Sequence, residues 1–147
     1  MMVNYLDAAI AEPKNTGVIK LHSEAGFAGM RAAGGLTAKC LDALEGIVKP
    51  GITTQEIDDF VFQFGKDNGA PAATLNYRGF THSCCISINH VVCHGIPGPR
   101  ALKEGEIVNI DVTFVRDGWH GDSSRMYMVC NVNRKAERLE EINYESL

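Results

Sequence analysis

Two aspartates near the end of the sequence have a spacing that could support metal chemistry. Asp111 and Asp122 lie on either side of Asp117-Gly118, a dipeptide typical of two-residue hairpin turns. Such a turn fixes the register, so that Thr113 lies opposite Asp122 and Asp111 lies opposite Ser124. Both carboxylates then lie on one face of the hairpin as diagonal neighbours, with Cα atoms about 7–8 Å apart.

Two carboxylates so placed repel each other unless cations lie between them, and the separation suits two divalent metals about 3.5–4 Å apart. The run VNIDVT around Asp111 alternates apolar and polar residues, which predicts one core face and one polar face. Two alternatives remain open at this point. The polar face could carry two solvated aspartates only, or a bulge at Trp119-His120-Gly121 could change the register.

His94 is a candidate for substrate contact. It follows an apolar run in VVCHGIP, and an imidazole at a strand end can hydrogen-bond a substrate carbonyl or amide. A single histidine beside glycine is also common as a purely structural residue. His120 shares the predicted strand face of Asp122, so it is a candidate to support the site without binding metal.

Two helices precede this region. Apolar residues at helical spacing predict the first from Ser23 to about Val48, where Gly34-Gly35 indicates a kink or a close packing contact. A second begins at Thr53, since Thr53 and Glu56 have the capping-box spacing, and ends near Asn68-Gly69.

The remainder predicts strands and one more helix. Cys85 to Val92 is predicted as a strand pair or bent strand, with a turn at Asn89-His90. Glu106 to Val115 and Trp119 to Val129 are the clearest strands. The stretch after Asn133 predicts a helix with no stop signal before the end of the sequence. The fold class is therefore α+β.

Composition is that of an ordinary soluble unit. The 147 residues are 45% hydrophobic and carry a formal net charge of -4, which does not favour nucleic acid or an anionic membrane as a partner. The five cysteines contain no C-x-x-C pair, so neither a disulfide framework nor a thiolate zinc site is expected. The first residues lack the layout of a signal peptide, and we expect a cytoplasmic protein.

Three longer motifs carry a resemblance to a known family. They are SINHVVCHGIP (87–97), EGEIVNIDVT (104–113) and DGWHGDSSRMY (117–127), and together they resemble type I methionine aminopeptidases, especially bacterial ones. The resemblance implies the pita-bread fold, which has two related αβ halves. Residues 1–147 would be the N-terminal half, with two helices, antiparallel hairpins and a truncated C-terminal helix, and the second half would be absent.

The resemblance also implies roles for the chemical residues. Asp111 and Asp122 match two metal-binding aspartates; Asp111 would reach one metal with both oxygens, and Asp122 would bridge two. The cofactors would be two divalent ions chosen from cobalt, manganese, iron, zinc or nickel. His94 matches the histidine that contacts the substrate and assists turnover.

A pocket for the methionine side chain is implied as well. Tyr77, Phe80 and Cys85 match its lining residues, and we expect them to gather near His94. Phe80 stands where a tyrosine is common in the family. An apolar, sulfur-tolerant pocket suits an unbranched thioether. Asn89 resembles part of a monovalent cation site.

The implied function is removal of the initiator methionine from nascent proteins, with N-terminal methionyl peptides as substrates and a hydroxide held by two metals as the attacking group. The second half of the family fold brings one histidine and two glutamates as further ligands, so we expect the chain alone to be close to inactive and to self-associate through the uncovered face. Two alternatives are a proline-specific peptidase of the same fold and a non-catalytic half-domain that acts as a binding or assembly module.

Overall fold

The computed structural model of the protein describes residues 5–7 and 19–146. A short parallel pair, β1 (Tyr5–Asp7) and β2 (Ile19–Leu21), comes first, and no pattern in the sequence predicts it. The other elements are α1 (Glu24–Leu44), α2 (Thr54–Asp67), a 3-10 turn (Tyr77–Gly79), β3 (Cys84–Ile88), β4 (Ile107–Arg116), β5 (Trp119–Met128) and α3 (Arg134–Glu145). None of the described helices is long and apolar enough to cross a membrane.

Both N-terminal helices lie where the sequence predicts them. The capping box of α2 is confirmed, because Glu56 N donates to Thr53 Oγ1 at 3.2 Å and Thr53 N donates to Glu56 Oε2 at 2.8 Å. The first helix is shorter than predicted. It ends at Leu44, since Ile47 N turns back to donate to the carbonyl of Leu44 at 2.9 Å in a tighter turn.

The predicted hairpin is confirmed with its register. Arg116 pairs with Trp119, and the antiparallel pairing continues without a break to Ile107 and Met128. Asp117 and Gly118 have φ of 52° and 81°, so both turn residues adopt the left-handed conformation that a type I′ turn requires. The uninterrupted pairing excludes the bulge that was the alternative at Trp119-His120-Gly121.

The third strand of the sheet differs from the prediction. The predicted turn at Asn89-His90 is confirmed, but a strand that continues to Val92 is wrong, because only β3, Cys84–Ile88, pairs with β4. Asn89 takes a left-handed φ of 53°, and Val91 N donates to the carbonyl of Ile88 at 3.1 Å, which turns the chain away from the sheet. The chain then forms a loop that carries His94 and returns to the sheet at Ile107.

The hydrophobic core lies between this sheet and the two N-terminal helices. Alternate residues of β4 point into it and are fully buried, while the residues between them are half-buried on the other face. Buried side chains of both helices complete the core, among them Leu36, Leu41, Leu44, Ile57 and Val61. Both helices thus cover one face of the sheet. We call the other face, which carries Asp111, the open face.

Close packing joins α1 to β5 at Gly121. A Cβ atom at Gly121 would overlap the backbone of Ala33 and Gly34, and Thr37 Oγ1 donates to the carbonyl of Gly121 at 2.7 Å. Of the two alternatives predicted at Gly34-Gly35, a kink is not supported, because α1 continues through both glycines, and the close packing involves the backbone of Gly34. The contact requires glycine at position 121 of β5, and not at positions 34 or 35 of α1.

We expect Gly121→Ala to lower the free energy of unfolding by about 2 kcal/mol, because the added methyl group meets rigid backbone. Gly34→Ala is the matched control. Its Cβ would meet no atom within 4 Å, so the better helix propensity of alanine should raise the free energy of unfolding by about 0.5–1 kcal/mol. Urea unfolding of both variants measures these changes. A harmless Gly121→Ala would contradict the contact.

Candidate metal centre

The two aspartates lie on the open face, as the hairpin register predicts. Thr113 pairs with Asp122 and Asp111 pairs with Ser124, so the carboxylates are diagonal neighbours on adjacent antiparallel strands. Thr113 Oγ1 donates to Asp122 Oδ1 at 2.8 Å and holds that carboxylate in place. Asp111 is half-buried, whereas Asp122 is exposed.

The electrostatics of the pair indicate that the carboxylates are close together. Burial raises the pKa of Asp111, the neighbouring Asp122 carboxylate raises it further, and the His94 imidazole acts in the opposite direction. All three groups therefore share one neighbourhood. A cation between the carboxylates would relieve their repulsion.

The donor set fits part of a site for hard divalent cations, which prefer carboxylate oxygens. In the described ranges, no group of three or more histidine, cysteine, aspartate or glutamate side chains converges on one point. Asp111 and Asp122 alone would leave a divalent ion coordinated mostly by water.

His94 is brought to the aspartates by a loop with an unusual backbone. His94 has a φ of 56°, in the left-handed region, and such a residue costs of the order of 1–3 kcal/mol unless its surroundings hold it. Hydrogen bonds of the next residue, Gly95, stabilise this conformation. Ile86 N donates to the Gly95 carbonyl at 2.8 Å, and Gly95 N donates to Ser87 Oγ at 3.1 Å. A Cβ at Gly95 would overlap the carbonyl of Ile86, so only glycine allows this approach.

Of the three predicted pocket residues, the structure places Cys85 beside the aspartates. It lies on β3 directly opposite Asp111, and it is 8% exposed. Burial raises the pKa of the Cys85 thiol, and the Asp111 carboxylate raises it further. In the metal-free protein this side chain is therefore an uncharged, largely buried group beside Asp111.

The other two pocket residues lie on the turn before β3. Tyr77 is 61% exposed, with the Arg78 guanidinium 5.3 Å from its ring centroid. Phe80 packs against His82 at 5.7 Å between ring centroids. Among the residues that the structure describes, these contacts stay within the turn. The gathering of Tyr77, Phe80 and Cys85 near His94 stays a prediction.

One residue that positions β3 is missed by the sequence reasoning. The Asp58 carboxylate is buried in α2 and accepts hydrogen bonds from Ser83 N at 2.7 Å and Cys84 N at 3.1 Å. It fixes the start of the strand that carries Cys85. The available signal is its position in the otherwise uncharged buried stripe of α2, which consists of Thr54, Ile57, Asp58, Val61 and Gly65.

Neutralising Asp111 should stabilise the metal-free protein, because an acid with a raised pKa in the folded state destabilises that state when ionised. We expect Asp111→Asn to raise the free energy of unfolding by about 0.5 kcal/mol at pH 7. The gain is modest because solvent screens the charge of a half-buried group. The gain is complete above the raised pKa and disappears as the pH falls toward the ordinary value of 3.8. Urea unfolding at several pH values measures it.

The control for this prediction is Asp59→Asn, which neutralises an exposed carboxylate on α2. It should leave the free energy of unfolding nearly unchanged. If both variants behave alike at every pH, the ionised Asp111 carboxylate does not destabilise the fold, which would contradict its burial beside Asp122.

Comparison with known proteins gives one consistent family. Residues 28–147 match the model of metallopeptidase family M24. The chain is 51% identical over 129 residues to the methionine aminopeptidase of Rickettsia prowazekii, which covers 88% of this chain and 50% of that protein. It is 43% identical over 143 residues to methionine aminopeptidase 1D, chloroplastic/mitochondrial, of Arabidopsis thaliana, covering 97% of this chain and 41% of that protein.

Solved structures agree with this result. The crystal structure of methionine aminopeptidase from Rickettsia prowazekii matches with a TM-score of 0.85 and 52% identity, covering 87% of this chain and 52% of that one. The prolidase from Pyrococcus horikoshii matches with a TM-score of 0.71 and 23% identity, covering 84% of this chain and 34% of that one, and this likeness shows the fold alone.

The predicted pita-bread fold is thus confirmed for the described part of the chain. The chain spans about half the length of the curated relatives it matches. The family model covers most of the sequence, including all the residues of the candidate site. The chain therefore belongs to metallopeptidase family M24.

Proposed function

We propose that this chain carries the first part of a methionine aminopeptidase site, in which Asp111 and Asp122 hold divalent cations and His94 contacts the substrate. The observation that carries the proposal is the hairpin register, which places Asp111 and Asp122 as diagonal neighbours on the open face. The 43–51% identity to named methionine aminopeptidases supports this activity over others in the family. The prolidase likeness, at 23% identity, supports no choice between activities.

Each side chain of the site has a chemical task in this proposal. Asp111 and Asp122 would hold two divalent cations, which when bound activate water and stabilise the developing oxyanion. His94 lies at the edge of the site on an exposed loop, where its imidazole can hydrogen-bond the peptide group of a substrate. Cys85 provides a neutral, polarisable wall beside Asp111, which suits a thioether side chain.

The proposed substrates are peptides with a free N-terminal methionine. The initiator methionine of a nascent protein is such a residue, and the proposed place of action is then the cytoplasm. Tyr77 and Phe80 belong to the proposal as further pocket walls. Their turn lies a few residues before β3, the strand that carries Cys85.

The test measures metal binding first, because it depends on the two aspartates alone. We expect Mn²⁺ to bind the 147-residue chain weakly, as detected by electron paramagnetic resonance, and binding to be lost in Asp111→Asn and in Asp122→Asn. Asp59→Asn, with the same charge change on α2, should bind as the unmodified chain does. Unchanged Mn²⁺ binding in either site variant would contradict the proposed ligands.

The second measurement is release of methionine from a Met-Gly peptide with Mn²⁺ or Co²⁺ present. We expect slow release, because two carboxylates leave most of the coordination to water, and misplacement of about 1 Å can already cost about 100-fold in rate. Rapid release that is lost in Asp111→Asn would show that the expectation of low activity is wrong while supporting the site. Rapid release that survives in Asp111→Asn would contradict the proposed function.

A second candidate function, assembly with another copy of this chain, is favoured by α3. This helix has no buried residue, and three of its large apolar residues are exposed: Leu139 (62%), Ile142 (50%) and Tyr144 (80%). We expect the chain to self-associate at micromolar concentration, as measured by sedimentation velocity, and Leu139→Ser with Ile142→Ser to restore a monomer. A monomer in the unmodified chain would contradict this function.

A further inference from the structure

The loop that carries His94 is closed at its base by its own ends. Asn89 N donates to the carbonyl of Ile107 at 2.9 Å, and Ile107 N donates to Asn89 Oδ1 at 3.1 Å. Residues 89–107 thus leave the sheet and return to it at one point. His94 lies in the first third of this loop.

Glu106 lies at this base and binds the loop at three places. Its carboxylate is buried, with the residue 9% exposed. Oε1 accepts from Arg100 Nη2 at 2.6 Å and from Asn89 Nδ2 at 3.3 Å, and Oε2 accepts from Lys103 N at 2.9 Å. The Glu106 side chain therefore connects Asn89, the first residue of the loop, with Arg100 and Lys103 in the part of the loop that returns to the sheet. We call this set of contacts the Glu106 clasp.

We propose that Glu106 is a positioning residue, which holds His94 beside Asp111 through the clasp. Asn89 and His94 both have left-handed backbone, a conformation that persists only where surrounding contacts fix it. The Gly95 contacts with β3 fix one side of His94, and the clasp fixes the two ends of the loop. The placement of His94 is independent of catalysis; only the importance of His94 rests on the proposed function.

The test uses the variant Glu106→Gln in the full chain without metal. The glutamine amide keeps one oxygen, which can accept from Arg100, but its nitrogen cannot accept the hydrogen bond from Lys103 N. The amide also lacks the negative charge that strengthens the bond with Arg100. Glu104→Gln is the matched control. It removes the same charge two residues away, from an exposed side chain whose contact is Asn131 Nδ2 at 3.4 Å.

The readout is the imidazole resonance of His94 in a histidine-labelled heteronuclear spectrum at fixed pH. In the unmodified chain, Asp111→Asn should shift this resonance, because Gly95, next to His94, is bonded to Ile86 of β3, and Ile86 adjoins Cys85, the residue paired with Asp111. In the Glu106→Gln background most of that shift should be lost, and in the Glu104→Gln background it should remain. A general loss of stability would move the resonances of His22 and His120 as well, so these two residues report on the fold.

Arg100→Gln gives a second, independent test, because it removes the ion pair between Arg100 and Glu106. The Arg100 side chain is half-exposed, so its replacement should not impair folding. It should also reduce the Asp111-dependent shift. The proposal is overturned if both clasp variants keep the full shift, or if Asp111→Asn does not shift the His94 resonance in the unmodified chain. Failure of methionine release leaves this result unaffected, because no metal or substrate is present in the measurement.

Discussion

The site depends on the register of one hairpin. Side chains alternate between the faces of a strand, so Asp111 and Asp122 share the open face only because the turn contains two residues. A shift of one residue would turn one strand over and separate the carboxylates. The turn resists such a shift, since Asp117 and Gly118 both adopt the left-handed backbone that the type I′ geometry requires.

Packing on the opposite face reinforces the same register. Gly121 pairs with Phe114 and contacts the backbone of Ala33 so closely that no side chain fits between them. A shifted strand would bring His120 or Asp122 against α1, with a steric clash and a buried polar group. The packing of the core thus excludes the shifted registers that the turn disfavours.

Local signals predicted the parts of this structure that local chemistry determines. The capping box at Thr53 and the turn at Asp117-Gly118 each involve residues a few positions apart, and both are confirmed. The extent of β3 and the partners of Asp58 were not predicted, because they depend on contacts made by residues distant in the sequence. Asp58 lies 25 residues from Ser83, whose amide it accepts, and no pattern in one sequence links the two.

The open face and the core face make opposite contributions to stability. Burial of the Asp111 carboxylate, together with repulsion from Asp122, destabilises the metal-free fold, while the apolar residues that alternate with Asp111 along β4 stabilise it from the other side. The apolar residues of β4 that point into the core therefore offset the unfavourable free energy of the charged residues on its open face. A cation that binds only the folded chain adds stability in proportion to the logarithm of its concentration above its Kd. Because the same carboxylates destabilise the metal-free fold and are the proposed cation ligands, metal binding would be linked to folding through Asp111 and Asp122.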